Sequence, residues 1–89
     1  MININDCLLS PKGVQSYCRN EKVWLNRIVL EYDKSMYKAN LGLYTSYRSR
    51  KPKTILVRCF ENKEDLKSFV IEIWSLYPRL DIANNHILY

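Results

Sequence analysis

Arg48, Arg50, Lys51 and Lys53 fall within six consecutive positions of the stretch TSYRSRKPKT, and no acid interrupts them. Cations at that density suit an anionic surface: Arg grips phosphate or carboxylate with a planar fork, and Lys adds a mobile point charge. Tyr44 and Tyr47 lead into the cluster, and a ring beside cations can stack on a base or anchor a protein contact. Three readings stay open. The cluster meets phosphates while Tyr44 or Tyr47 stacks on bases, or it meets an acidic surface of another protein. The third is a solvated tip that keeps sheet edges from pairing with other molecules. Tyr44 alternates onto the face turned away from the helices, and Lys38 and Arg58 extend that face if the strand registers allow.

Other chemistry has little to build on. The single histidine, His86, stands three residues from the C-terminus with no base, metal or triad partner in prospect. No spacing supplies the three or more ligands of a zinc site, and two glycines cannot make a phosphate-cradling loop. The acids sit mostly at helix starts and turns, so no carboxylate pair is set apart for acid–base work. Cys7, Cys18 and Cys59 are odd in number and lack a C-x-x-C pair, as reduced, core-filling thiols of a cytoplasmic protein would. The expectation is a binding protein with no catalytic residue, metal, cofactor or small-molecule substrate.

The net charge is +5, from 14 basic and 9 acidic residues. Four of the basics lie in the loop, so the rest of the chain nets only +1. That balance favours one localised anionic contact over a general polycation.

The elements that must hold this loop read as helix, three strands, helix and tail, in one domain spanning residues 1–89. Ser10-Pro11 opens a helix, a hydroxyl cap followed by a residue whose missing N–H is not needed there, and the helix ends near Asn20. From Val23 to Tyr32 apolar residues alternate, with Trp24, Ile28, Leu30 and Tyr32 sharing a face that Asn26 interrupts. YDKS turns the chain, and residues 36–47 alternate again as the second arm of a hairpin. TILVRCF, residues 54–60, is a third strand, which puts the basic cluster at a projecting hairpin tip. Asn62 caps a helix from about Lys63 to Tyr77, with Asp65 three residues on as in a capping box. Its apolar stripe is Leu66, Phe69, Val70, Ile73, Trp74 and Tyr77, and Pro78 ends it. HILY at the C-terminus is read as a short edge strand. The fold class is therefore α+β, a two-layer domain with a three- to four-stranded antiparallel sheet and two helices on one face. Trp24 and Trp74 are expected at its centre, where replacing Trp74 by Ala would cost about 3–5 kcal/mol. No apolar run approaches the roughly 18 residues of a membrane span. The N-terminal MININDCLLS lacks the basic and apolar regions of a signal peptide.

A strand passing through Arg58, Phe60 and Glu61 into a helix bearing Glu64, Leu66 and Phe69 resembles small phage-encoded anti-CRISPR proteins, the compact α+β inhibitors of the type I-F class. The resemblance spans residues 36–77 at most. It implies a stoichiometric inhibitor in the host-cell cytoplasm that docks on a protein–nucleic-acid complex and blocks it sterically, with no catalytic residue. The chain departs from many of those proteins in being basic, which argues against nucleic-acid mimicry as the mechanism. The expectation is thus an inhibitor docking through Arg48, Arg50, Lys51, Lys53, Tyr44, Tyr47, Lys38 and Arg58. The alternative is a nucleic-acid-binding module that uses the same hairpin on phosphates.

Overall fold

In the computed structural model, residues 10–46 and 48–89 are described. They form α1 (Pro11–Glu21), β1 (Trp24–Asp33), β2 (Met36–Tyr44), β3 (Thr54–Phe60), α2 (Lys63–Leu76), β4 (Asp81–Ala83) and a closing 3-10 turn (Asn85–Leu88). The strands make one four-stranded sheet in the order β3-β2-β1-β4, with both helices on one face. The α+β class and the two-layer arrangement hold.

Local chemistry accounts for most element ends. Ser10 Oγ accepts from Gly13 N at 3.1 Å, and Pro11 occupies the first turn of α1. Lys22 closes that helix in the left-handed region at φ 56°. Asn62 Oδ1 accepts from the Asp65 backbone N–H at 2.9 Å while Asn62 Nδ2 donates to Asp65 Oδ2 at 3.1 Å, so the return half of the cap runs side chain to side chain. Glu64 and Asp65 sit in the electropositive first turn of α2. The β1–β2 turn places Lys34 at φ 51° and Ser35 at φ 65°. Two left-handed residues match the twist of a tight hairpin, but neither is the Gly or Asn that adopts the shape cheaply.

The helix-covered face is apolar throughout its centre. Leu25, Ile28 and Leu30 of β1 meet Leu43, Leu41 and Ala39 of β2, and Leu41 in turn meets Leu56 of β3. Leu66, Phe69, Val70 and Ile73 of α2 and Val14 and Cys18 of α1 close over them, all buried. Each large side chain enclosed this way contributes about 1.5–3 kcal/mol.

Three expectations need correction. First, neither tryptophan is in the core: Trp24 is 59% exposed and Trp74 51%. The β1–β2 pairing slips between Leu25 and Arg27, so Asn26 is an extra residue. That bulge reverses the alternation, bringing Leu25 into phase with Ile28 and leaving Trp24 on the outer side. Trp74 follows Ile73 by one residue, about 100° further round α2, and shares an outer strip with Ile71, itself 60% exposed. Second, the sheet is mixed, because β4 runs parallel to β1, pairing Ile28 with Ile82. α2 returns the chain to the starting end of β3, so the next strand must run in the direction of β3 and β1. Third, HILY is not a strand. His86, Ile87 and Leu88 belong to the 3-10 turn, and the edge strand is the preceding DIA.

Candidate functional site

The basic cluster forms the connection from β2 to β3, and its shape is set by hydroxyls. Thr45 Oγ1 and Ser49 Oγ are 3.0 Å apart, and Ser46 Oγ is 3.4 Å from Ser49 Oγ. Arg48 N donates to Ser46 Oγ at 3.2 Å and Ser49 N to Ser46 O at 3.1 Å. Lys53 N returns to Leu43 O at 2.7 Å, closing the loop on the end of β2. The backbone is thus held by Thr45, Ser46 and Ser49, while Arg48, Arg50, Lys51 and Lys53 are exposed. Tyr47 lies outside the described residues, as does Cys7.

Tyr44 is on the uncovered face of the sheet, as its alternation predicts. A methyl group at Gly42 would come within 3.1 Å of Tyr44 Cε1 and 3.6 Å of its Oη. The phenol therefore lies across the glycine, which has no side chain to lift it from the sheet. Tyr44 and Gly42 share a shallow hollow of about 130 Å³ with Arg27, Val29, Asn40, Ile55 and, from the basic loop, Pro52. Asn40 is already engaged there, donating through Nδ2 to Val29 O and Glu31 Oε1, each at 3.1 Å.

Lys38 and Arg58 do not extend this surface together. Lys38 pairs with Glu31 and Cys59 on the uncovered face, towards the far end of the strands from the loop. Arg58 faces the helices, in phase with Leu56 and Phe60 and opposite Ala39. Its guanidinium carbon lies 5.0 Å from the Phe60 ring centre and 5.2 Å from that of Phe69. Arg58 thus lies over two rings whose own centres are 5.4 Å apart, a packing role within the α2–β3 layer.

The topology adds cations that the cluster's own sequence does not contain. Trp24 pairs with Tyr44 and Leu43 with Thr54, so the start of β1, the end of β2 and the start of β3 share one end of the sheet. α1 finishes beside them, and so does the α2–β4 connection, because Trp24 and Arg79 line one hollow. Arg19, Lys22, Arg27 and Arg79 therefore join Arg48, Arg50, Lys51 and Lys53 at a single end. Among the described residues the acids there are Glu21 and Asp81, and Asp81 Oδ2 accepts from Arg27 Nε at 3.3 Å in an exposed pair that is worth little in water. Most of the remaining described acids, Glu31, Asp33, Glu61, Glu64 and Asp65, lie towards the opposite end, by the β1–β2 turn and the start of α2. Lys34, Lys38, Arg58 and Lys63 lie among those acids, so that end is nearly balanced and the positive excess belongs to the loop end. Arg19 in the last turn of α1 was the readable hint, since cations collect at helix C-termini.

The remaining chemistry is sparse. Among the described residues no three His, Cys, Asp or Glu side chains gather to hold a metal ion. No helix among them is long and apolar enough to cross a membrane. His86 is exposed in the closing turn. Burial pushes the Cys18 thiol above its usual range, and burial followed by the neighbouring Cys18 raises Tyr77 to about 12. Both are neutral at pH 7. Compared with known protein families, curated proteins and solved structures, the chain matches none.

Proposed function

We propose that this chain is a non-enzymatic binding protein that docks, basic end first, on a protein–nucleic-acid complex, as a stoichiometric inhibitor does. One observation carries the reading: eight cations, from the loop and from three other places in the chain, gather at one end, where the acids among the described residues are Glu21 and Asp81. The loop backbone is itself held by the hydroxyls of Thr45, Ser46 and Ser49. Like charges at one end repel, so the arrangement favours a partner that supplies anions. The hydroxyl-braced loop with Pro52 loses little freedom on contact, which limits the entropic cost of docking.

A second reading has its own support. The phenol of Tyr44, lying flat over Gly42 beside the basic loop, offers a ring face on which a base can stack. On that reading the protein is a module for free single-stranded nucleic acid, with the loop on phosphates.

One experiment addresses both. The tagged chain and a variant with Arg48, Arg50, Lys51 and Lys53 changed to Ser are used to recover partners from the native host, with and without nuclease. Binding to a labelled single-stranded oligonucleotide is measured across salt concentrations. The leading reading expects a defined nucleoprotein complex at fixed stoichiometry, weakened by the variant at least about tenfold, or ~1.4 kcal/mol. The second expects tight oligonucleotide binding whose logarithm falls with log salt by about 0.7 per phosphate contacted. A folded variant that matches the parent in both assays would reduce the loop to a solvated tip.

A further inference from the structure

Where α2 runs out, three surface hollows adjoin. The first, about 450 Å³, has Cys18, Val23, Trp24 and Tyr77 in its lining, with Arg19 and Lys22 at its rim. The second, about 320 Å³, shares Trp24 and Tyr77 and continues to Pro78 and Arg79. The third shares Pro78 and is bounded by Ile71 and Trp74. Both tryptophans of the chain thus border one track, each more than half exposed. Trp, Tyr and Arg are the residues that carry most binding energy at protein interfaces, and all three types line this track.

We infer that this track docks an acidic segment of a partner protein, with an aliphatic or aromatic side chain seated between Trp24 and Tyr77 and flanking carboxylates meeting Arg19, Lys22 and Arg79. Charge selects the partner. Three cations line the hollows and no carboxylate does. Trp24, Tyr77 and Trp74 offer rings to either class of partner, and the aliphatic walls between them favour a peptide side chain. Val23, Leu76, Leu80 and Ile71 are aliphatic and have no face on which a base can stack. Trp74 already donates its indole N–H to Pro78 O at 3.2 Å and so presents carbon to the track. Cys18 and Tyr77 are both uncharged at neutral pH, which keeps the floor apolar.

The inference shares the basic end with the function proposed above but not its loop, so the two fail separately. Because both tryptophans border the track, intrinsic fluorescence reads it directly. The probe is the peptide acetyl-DELFDE-amide, with its charge-reversed twin acetyl-KKLFKK-amide and a single-stranded oligonucleotide as comparators. The expected result is a saturable blue shift with the acidic peptide. Its affinity falls at least about tenfold in Trp24→Ala and in an Arg19→Glu, Lys22→Glu double variant, and is unchanged in the loop variant. Circular dichroism checks that Trp24→Ala folds; if it does not, the double variant, altered only at exposed positions, decides. An absent shift, an equal response to the basic twin, or competitive displacement by the oligonucleotide would overturn the assignment. So would a blue shift on concentrating the protein alone, which would make a second copy the occupant.

Discussion

The helix-covered face and the basic end are built on opposite rules. On the covered face, Ile28, Leu30, Leu41, Leu43 and Leu56 are enclosed almost completely among other apolar side chains, and Arg58 is laid over rings. At the basic end, Arg48, Arg50, Lys51, Lys53 and Trp24 are exposed, on a loop whose backbone is held by the hydroxyls of Thr45, Ser46 and Ser49 and, for Trp24, on the neighbouring start of β1. A change in the first region alters how much protein is folded. A change in the second alters what the folded protein holds. The bulge at Asn26 is the hinge between the two rules, since it decides which residues of β1 fall under each.

The sharpest way to break that division is to cut into the covered face. Leu41→Ala, in the middle of β2 between β1 and β3, is expected to destabilise by about 2–5 kcal/mol in chemical denaturation, while the folded fraction keeps its partner affinity. A loss of affinity in that folded fraction would show that the two regions are coupled. The next test is alkaline. Tyr77 has its folded value raised to about 12 from an ordinary value near 10, so folding favours its neutral form. Its contribution is whole below pH 10 and is lost as pH rises from about 10 to 12. Tyr77→Phe should flatten that part of a stability-against-pH curve, and an unchanged slope would place Tyr77 in a more solvated setting.

Smaller effects test the periphery. Ser35→Gly relieves a left-handed residue at φ 65°, worth about 1–2 kcal/mol, less the added freedom of the unfolded chain, so it should stabilise by up to about 1 kcal/mol, read as a raised denaturation midpoint with binding untouched. Trp74→Ala should cost the least, about 0.5 kcal/mol as for other surface positions, in place of the 3–5 kcal/mol of a core aromatic. A loss in the core range would return Trp74 to the covered face.

Much of the scaffold could be read from local patterns because local interactions produce it. The Ser10-Pro11 and Asn62–Asp65 caps, the bounds of β3 and the hairpin loop carrying Arg48, Arg50, Lys51 and Lys53 depend on residues within a few positions of one another. Tyr44 was also legible, since alternation alone sets its face. Other features are decided by partners far along the chain. A single extra residue, Asn26, reverses the face of everything before it, and only pairing with β2 identifies it as a bulge. The three-residue β4 has no periodicity to detect, and its parallel direction follows from α2 spanning the sheet. Arg58 reads as an outward cation until Ala39 opposite and Phe69 above it are known. The gathering of Arg19, Lys22, Arg27 and Arg79 beside the loop is a property of topology: they come from the end of α1, from β1 and from the α2–β4 connection, and only the sheet register and helix docking bring them to one end.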